Sequence, residues 1–594
     1  MMKAKPLFVT CLLVACAFGL LVMSPLTFAQ GGQGQPTPTP QVGTLVPPTP
    51  IIVATPTPTP QAAAVSGIRT LQDTGKIRVG VRYNVPPFSW LDDKGEVNGY
   101  EAELMQAIAV DLKVEVEFVQ VTAETQRQAL LSGQVDVLIG EQIHTRDGEQ
   151  WMEYSHPYYY NEQRIVIRQG DPYGRIADLA NHRVSVIAGS RGEEAMGLWM
   201  AQNGTGMELV RYLTQDDALD ALANGEVDAM VGELGDLSRA GRQNMSLLGE
   251  VVRFDFYAIA FRRHDVNLRN PINRAIQRLY ASGRVVEIAE KWFPDKVINF
   301  AALIPVYDNF AGDTREVKDF PPDIPSPNQS VMDKIRNGEA ITVAGVSLND
   351  TDPLYKRFLD PLNREIMYEM GRRWGVTIVF LPDTADTGVD LVANGQADIA
   401  VNVRPRWDGA DRADYSLPYH YHKHQILVVK DGRYDGGINS FRGGSWIGYY
   451  EDTPADGERL EFLVDFLRIS PAIYRFISNQ QVIEEIFDQR NVDGIFADSI
   501  RLQALTIEQP RNAWAVLPNF EDLFGPIVMA TPRNDADFLT LVNWTLADMY
   551  RDGTLASIWT ANYPAVPLFP GQDVPPFVPD WAGVGDFLYQ QAAE

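Results

Sequence analysis

Short apolar runs alternate with amphipathic stretches along most of this chain. The run at residues 77–81 predicts a strand, and apolar residues at 104, 105, 108, 109 and 112 form the stripe of a helix. This alternation predicts α/β lobes, each built on a mainly parallel sheet. Further strands are predicted at residues 114–121, 135–139, 184–187, 227–233 and 256–261, and helices at 124–131 and within 268–293.

One stretch of the pattern occurs twice. The first copy begins at Gly133 and reads GQVDVLIGEQIHTRDGEQWMEYSHPYYYNEQRIVIR, and the second begins at Gly395 and reads GQADIAVNVRPRWDGADRADYSLPYHYHKHQILVVK. The two glycines are 262 residues apart and the prolines Pro157 and Pro418 are 261 apart, so the copies keep their register. A repeat with so long a period predicts two tandem copies of a whole domain.

Proline-rich stretches separate the two domains from each other and from the ends of the chain. We expect a protease to cut near Pro321–Pro327 and to release two folded units. The predicted segments are a signal peptide or membrane anchor at 1–29, a Pro/Thr-rich linker at 30–66, a first domain at 67–300, a linker at 301–328, a divergent second domain at 329–565, and a Pro-rich tail at 566–594.

The N-terminal segment predicts export, because two lysines precede an apolar run over residues 7–29 that ends in small residues. Two alternatives stay open: lipidation at Cys16, which ends the lipobox-like Leu13–Cys16, and an uncleaved membrane anchor. The Pro/Thr tract Gln35–Gln61 then serves as a spacer or as a disordered terminus. The protein is expected in the periplasm or at the cell surface.

The charge of the chain narrows the choice of partners. The formal net charge of −26 argues against nucleic acid or an anionic membrane surface, since either needs a basic face. Both cysteines, Cys11 and Cys16, lie in the N-terminal apolar run. The folded part therefore uses neither disulfides nor thiolate chemistry.

The first domain contains, in this order, the motifs VGVRYNVPPFSW, GYEAEL, GQVDVLIGE, YSHPYYY, VDAMVGE and YASGRVVEIAEKWFP. By the order and spacing of these motifs it resembles the bacterial extracellular solute-binding proteins of the polar-amino-acid type. The resemblance implies two lobes joined by two crossover strands, which close on a small solute and present it to an ABC-type transmembrane permease. It also implies a receptor for an amino acid or a related amine.

The second domain resembles the same family more loosely. Its end aligns with that of the first when Gly553 is matched to Gly283, but Ser347–Leu354 replaces the Pro-Pro-Phe loop. We therefore expect the first domain to be the principal receptor. The second is expected to have a different or weaker specificity, or to have lost binding and to act as a spacer or docking surface.

The family pattern assigns a binding role to particular side chains, because a small zwitterion needs donors for its carboxylate, an acidic group for its ammonium, and apolar walls. In the first domain these residues are Phe88, Glu141, Thr145, Ser190, Arg191 and Glu233, to which Arg146 is added as a further candidate. In the second domain the nearest polar candidates are Arg404, Arg406 and Asp498. The milder alternative is that Thr145 caps a helix, Arg191 is solvated and Glu233 pairs with a basic neighbour.

Two positions depart from the family pattern. The family sets an arginine three residues after the threonine, where this chain has Gly148, and an aromatic residue where it has Val85. Arg146 is the candidate replacement for the missing guanidinium. Glu141 adds a second negative charge, which suits a more cationic solute or raises the pKa of one carboxyl group.

The other chemical signals are weak. His420, His422 and His424 alternate along a strand, but they lack an evident acidic fourth ligand, so neither a metal nor a cofactor is predicted. No nucleophile and base stand together, so we do not predict an enzyme. The alternatives to a transport receptor are a sensing module for a separate partner and, less favoured, an enzyme on the same fold such as a dehydratase.

Overall fold

The computed structural model describes residues 66–562, except 241–243, 295, 297, 308–314, 349–358, 383, 385–386, 435, 509–513, 519 and 521–523. The predicted signal peptide, the lipidation site at Cys16, the Pro/Thr tract and the C-terminal tail lie outside these residues. Within the described part of the chain, no helix has the length and apolar character needed to span a membrane.

The first lobe of the first domain is built on a five-stranded sheet. The strands lie in the spatial order Glu115–Gln120, Lys76–Val81, Val137–Leu138, Ala260–Arg262 and Met152–Tyr154, and of these only Ala260–Arg262 runs antiparallel to its neighbours. Val79 and Val81 are fully buried because helices cover the sheet. The helices are Gly67–Thr74, Tyr100–Leu112, Gln126–Leu131, Arg146–Glu149, Val266–Ala281, Arg284–Trp292 and Phe300–Leu303, and a small second sheet contains Asn84–Val85, Ser89–Leu91 and Val97–Asn98.

The second lobe repeats this plan with its own five-stranded sheet. Its helices are Arg191–Asn203, Gln215–Ala223 and Leu234–Ala240, with a 3-10 turn at Ile176–Leu179. The strands lie in the spatial order Glu208–Tyr212, Arg183–Ile187, Ala229–Glu233, Tyr159–Arg168 and Met245–Tyr257, of which the first three are parallel.

Two long strands connect the lobes. Tyr159–Arg168 leaves the first lobe and pairs antiparallel with Met245–Tyr257, which returns to it. The sequence pattern predicted a return strand only at residues 256–261, and that prediction was wrong at both ends. The observed return strand starts at Met245 and contains register shifts between Leu247 and Arg253, which obscure its alternation in the sequence.

The second domain is also α/β, but its two lobes share one ten-stranded sheet. The sheet is continuous because His420–Val429 pairs with strands of both lobes. The strands are Ile341–Ala344, Ile378–Phe380, Ile399–Val403, Ala413–Tyr415, His420–Val429, Trp446–Tyr450, Ala472–Phe476, Gly494–Asp498, Trp514–Val516 and Phe524–Pro532. The α-helices are Val331–Arg336, Asp360–Trp374, Gly388–Ala393, Pro454–Phe466, Asn479–Ile483, Ser499–Glu508, Ala536–Arg551 and Thr554–Asn562.

Each domain ends in the same helical pair, as the alignment of the two C-terminal parts predicted. Gly283 begins the second helix of the first pair with φ 81°, and Gly553 has φ 78° at the matching turn. A positive φ of this size favours glycine, which explains why both turns carry one. The predicted long and short helices within residues 268–293 are confirmed as Val266–Ala281 and Arg284–Trp292.

Part of the predicted linker packs on the first domain. Val317 and Phe320 are buried, and Nε2 of Gln72 donates to the carbonyl oxygen of Phe320 at 2.7 Å. These contacts make the segment before Pro321 a part of the first domain's surface. Cleavage near Pro321–Pro327 stays a prediction.

The two first lobes contact each other through their long C-terminal helices. Arg269 on Val266–Ala281 donates to Asp414 of the second domain at 2.8 Å and forms an ion pair with Glu153 of its own domain. Asp414 is 2% exposed and also accepts from Arg533 at 2.6 Å. The buried charges therefore form a network that joins the domains.

Candidate functional site

The candidate site of the first domain lies where the loops at the carboxyl ends of the strands face the crossover strands. Tyr257, at the end of the returning strand, stacks on Phe88 with ring centroids 5.3 Å apart. Phe88 is only 5% exposed and also packs against Tyr100 and Tyr159. Phe88, a predicted ligand contact, therefore lies in the core beneath Tyr257.

Glu141 is held by two contacts from its own lobe. Its backbone has φ 56°, and its N–H donates to Oε1 of the buried Glu101 at 2.8 Å. Its Oε2 accepts from Nη2 of Arg82 at 2.6 Å. Burial raises the pKa of Glu141, although Arg82 and Arg191 both oppose the rise. Since Arg191 belongs to the second lobe, the two lobes bring these charges to one site.

Glu233 ends the strand Ala229–Glu233 and faces the same site. Burial raises its pKa to about 7, and the neighbouring carboxylates Asp236, Glu141 and Asp255 add to the rise. A hydrogen bond with Asn161 works against it. The raised pKa marks a negative site that a bound cation would stabilise.

Lys296 is a basic group that interacts with this acidic cluster from the crossover side. Its Nζ lies 4.2 Å from the ring centroid of Tyr159 and donates to the Tyr159 hydroxyl at 3.1 Å. Burial lowers the pKa of Lys296 to about 8, and Glu162 and Glu233 oppose that shift. Lys296 therefore balances part of the acidic charge while it remains bonded to the crossover strand.

Ser190 and Arg191, the predicted site residues at the start of the helix Arg191–Asn203, differ in what their side chains do. The Ser190 side chain caps the helix, because its oxygen accepts from the N–H of Glu193 at 3.2 Å. Arg191 is exposed, yet its charge opposes the burial-driven rise in the pKa of both Glu141 and Tyr257. Arg191 thus faces the site electrostatically, while the hydroxyl of Ser190 is engaged in the cap.

Thr145 and Arg146 do not join the cluster of charges in the cleft. The Thr145 side chain accepts from the N–H of Gly148 at 3.1 Å and caps the short helix Arg146–Glu149, which is the milder alternative for this residue. The expectation that Arg146 replaces the missing guanidinium is contradicted by its position. Its Nη2 donates to Asp548 of the second domain at 3.0 Å, and the residue is 3% exposed.

A tyrosine hydroxyl fills the space that a side chain would need at Gly148, where the family has an arginine, and at Gly409, which lies 261 residues later and is its counterpart in the second domain. A Cβ added at Gly148 would lie 1.8 Å from the Tyr154 hydroxyl, and one added at Gly409 would lie 2.2 Å from the Tyr415 hydroxyl. Both distances are far below van der Waals contact, so any side chain there would displace the tyrosine. In the first domain, Arg82 places a guanidinium beside Glu141.

Sequence reasoning missed several residues of this site: Arg82, Glu101, Asn161, Asp236, Tyr257 and Lys296. A signal for Arg82 existed, because it directly follows the first strand, and ligands of open α/β sheets bind at the carboxyl ends of strands. Asn161 and Tyr257 lie on the crossover strands, whose pairing the sequence left undefined. Asp236 and Lys296 had no comparable signal.

Arg404 and Asp498, two of the predicted ligand-binding residues of the second domain, lie close together and form an ion pair with each other. Nη2 of Arg404 donates to Asp498, and its Nη1 lies 3.5 Å from the buried Asp456. His424 Nε2 lies 3.0 Å from Asp456. A cavity of about 20 Å³ remains beside them, enough for about one water molecule.

Arg406 does not reach that cavity. Its side chain is exposed and pairs with Asp408 at 3.2 Å. The alternating histidines also have separate neighbours: His424 stacks on Phe496, and His420 packs against Trp559. Among the described residues, no group of three metal-ligating side chains comes together.

Comparison with known proteins gives matches in both domains. The model of the bacterial extracellular solute-binding proteins, family 3, matches residues 77–295 and 362–562, which together exceed half of the chain. The L-cystine-binding protein TcyJ of Escherichia coli K12 is 26% identical over 232 residues, which cover 38% of this chain and 85% of that protein.

Two further similarities involve arginine-binding proteins. The L-arginine-binding protein of Pseudomonas aeruginosa is 26% identical over 246 residues, which cover 39% of this chain and 93% of that protein. A solved structure of an ancestral arginine-binding protein bound to arginine is 30% identical and covers 37% of this chain and 98% of its own, with a TM-score of 0.29.

Proposed function

This chain belongs to the bacterial extracellular solute-binding proteins, family 3, of which it contains two tandem copies, and we propose that its first domain captures a cationic amino acid between its lobes. The captured solute would be presented to an ABC-type permease outside the cytoplasm. Relatives of this chain include proteins named for binding L-arginine and L-cystine.

The observation that carries the proposal is the acidic cluster around Glu233. Glu233, Glu141 and Asp236 are half-buried and interact with one another, and the pKa of Glu233 rises to about 7. Two carboxylates in a partly dry cleft repel each other until a cation enters, so a positively charged solute gains more there than a neutral one. Glu233 is therefore the proposed partner of the solute's ammonium group.

The solute's carboxylate needs a donor on the opposite side of the site. Arg82 from the first lobe and Arg191 from the second both act on Glu141, which places their charges near the cluster. A guanidinium suits a carboxylate because it presents parallel N–H donors. We assign the carboxylate to Arg82 and Arg191, which also balances part of the acidic charge.

The second domain is proposed not to share this ligand. A zwitterion would need a guanidinium for its carboxylate and a carboxylate for its ammonium. In the second domain the two groups of this kind, Arg404 and Asp498, form an ion pair with each other. A solute would have to break this ion pair and enlarge a cavity of about 20 Å³. The second domain then acts mainly through its contact with the first.

A thermal-shift screen of the full-length protein tests the ligand class. We expect L-arginine, L-lysine and L-ornithine to raise the melting temperature, since a ligand at about 100 times its Kd stabilises by about 2.7 kcal/mol. L-Glutamate and L-glutamine at the same concentration serve as controls and should have little effect. The proposal would be refuted if only L-glutamate raised the melting temperature, or if none of the three cationic amino acids raised it.

A further inference from the structure

We propose that each domain positions the ligand-facing loop of the other, and that Trp544 of the second domain is a positioning residue for the first cleft. The ligand part of this inference rests on the function proposed for the first domain. Two segments carry it. The first site loop is residues 140–149, and the second site loop is residues 404–412.

The first site loop reaches from its own cleft into the second domain. At one end Glu141 pairs with Arg82 at 2.6 Å in the cleft. Five residues later, the guanidinium of Arg146 lies 4.4 Å from the centroid of the Trp544 ring and donates to the Trp544 carbonyl oxygen at 3.3 Å. The same loop thus contacts the first cleft at one end and the second domain at the other.

A second contact fixes the far end of the same loop. Trp544 Nε1 donates to Glu149, whose Oε1 lies 2.6 Å from Nε2 of His144. Trp544 is 2% exposed, so its indole N–H has no solvent alternative if Glu149 shifts. The indole therefore holds the loop through both its ring face and its donor.

The second site loop makes the reciprocal contact. Arg404 lies in the second cleft, and three residues later Trp407 is buried against Arg274 of the first domain, with the guanidinium 4.6 Å from the ring centroid. Trp407 Nε1 donates to Oε1 of Gln277 at 3.1 Å. Each cleft thus has its loop anchored in the opposite domain.

The reciprocity follows the internal repeat. Arg146 and Trp407 are separated by the same 261 residues as the crossover prolines, and Arg274 and Trp544 by the same 270 residues as the turn glycines. The arginine lies on the loop in one contact and on the helix in the other. His264 and Asn534, also 270 apart, meet at 3.0 Å, as positions beside a two-fold axis do.

This arrangement makes ligand binding in one domain sensitive to the other. Closure on a solute requires Glu141 and Arg82 to hold a defined geometry, and the loop that carries Glu141 is buried against Trp544 rather than left in solvent. Because interfaces of packed side chains have few alternative arrangements, a change at Trp544 should displace the loop as a unit. By linkage, an effect of the second domain on the first cleft must also act in reverse.

The test compares three variants of the full-length protein. Trp544→Leu removes both contacts to the loop, whereas Trp544→Phe keeps an aromatic face for Arg146 and removes the donor to Glu149. Trp559→Leu is the matched control, since Trp559 is also 2% exposed and packs in the same second-domain core but lies against His420. Two readouts are used: hydrogen exchange of the amides of residues 140–149 without ligand, and the calorimetric Kd for L-arginine.

We expect Trp544→Leu to accelerate exchange in the first site loop and to weaken L-arginine binding at least fivefold, with Trp544→Phe in between. Trp559→Leu should change neither quantity, even where it lowers the melting temperature. Unchanged loop exchange or unchanged affinity in Trp544→Leu, or equal effects of Trp559→Leu, would overturn the inference. If the wild-type protein does not bind L-arginine, the proposed ligand is refuted, and the hydrogen-exchange experiment alone decides whether Trp544 holds the loop.

Discussion

Replacing Arg269 by methionine is expected to lower the free energy of unfolding by about 3 kcal/mol or more. The change removes the shared partner of Glu153 and Asp414, and breaking a buried ion pair on one side costs about 3–5 kcal/mol because a charge is left uncompensated. Asp414 keeps Arg533 and the N–H of Asn534, which places the expected loss near the lower end. Thermal denaturation should show a fall of several degrees.

The matched control is Arg412→Met. Arg412 pairs with Asp390 at the surface, where both side chains are about half exposed, so its removal should change the free energy of unfolding by no more than about 0.5 kcal/mol. Equal effects of the two variants would show that the buried interdomain network contributes no more to the free energy of unfolding than an exposed surface ion pair does.

The free energy of unfolding of wild type and of Arg269→Met should also differ in its dependence on pH. Burial raises the pKa of Asp414, but Arg533 and Arg269 outweigh it, so the pKa lies below its usual value. A depressed folded pKa means that the stabilisation is present above the unfolded value, near pH 4, and is lost as the pH falls through the folded value. In Arg269→Met the loss should begin at a higher pH than in wild type.

Replacing Glu233 by glutamine is expected to weaken binding of L-arginine at least tenfold, which corresponds to about 1.4 kcal/mol. The amide keeps the size of the side chain and removes the charge that the solute's ammonium would meet. Isothermal titration calorimetry of the full-length protein measures the change. Glu208→Gln is the control, since Glu208 lies in the same lobe but is largely exposed.

Affinity should also depend on pH through Glu233. Its raised pKa, about 7, means that the ligand-free site is partly protonated at neutral pH. A cationic solute binds the ionised form, so affinity should rise as the pH rises through 7 and then level off. Glu233→Gln should lose this dependence and, without ligand, should be more stable than wild type at pH 8, because no buried charge then forms. A wild-type affinity that falls between pH 6 and 8 would contradict the role.

Much of the fold followed from periodicity, because the apolar runs and the helical stripes are local properties of the chain. The helix over Val266–Ala281 and its glycine turn were predictable for that reason. The return strand Met245–Tyr257 was not, since its register shifts break the alternation that identifies a strand. The single sheet shared by the lobes of the second domain is likewise a property of long-range pairing.

The candidate site was predictable in part from residues near strand ends and helix starts. Glu233 ends a strand, Glu141 follows one by three residues and Arg191 begins a helix, and the structure brings the three together. Arg146 was assigned to the cleft because its residue type and position suited a carboxylate. Its true neighbours are Trp544 and Asp548, about 400 residues later in the chain, and no local pattern points to contacts at such separation.

The stoichiometry of L-arginine binding to the full-length protein tests the central claim most directly. If the first cleft is the receptor site and the second is closed by Arg404 and Asp498, calorimetry should give one L-arginine per chain, unaffected by Asp498→Asn and weakened at least tenfold by Glu233→Gln. Two equal sites per chain, no binding, or a single site that survives Glu233→Gln and is lost in Asp498→Asn would contradict this account.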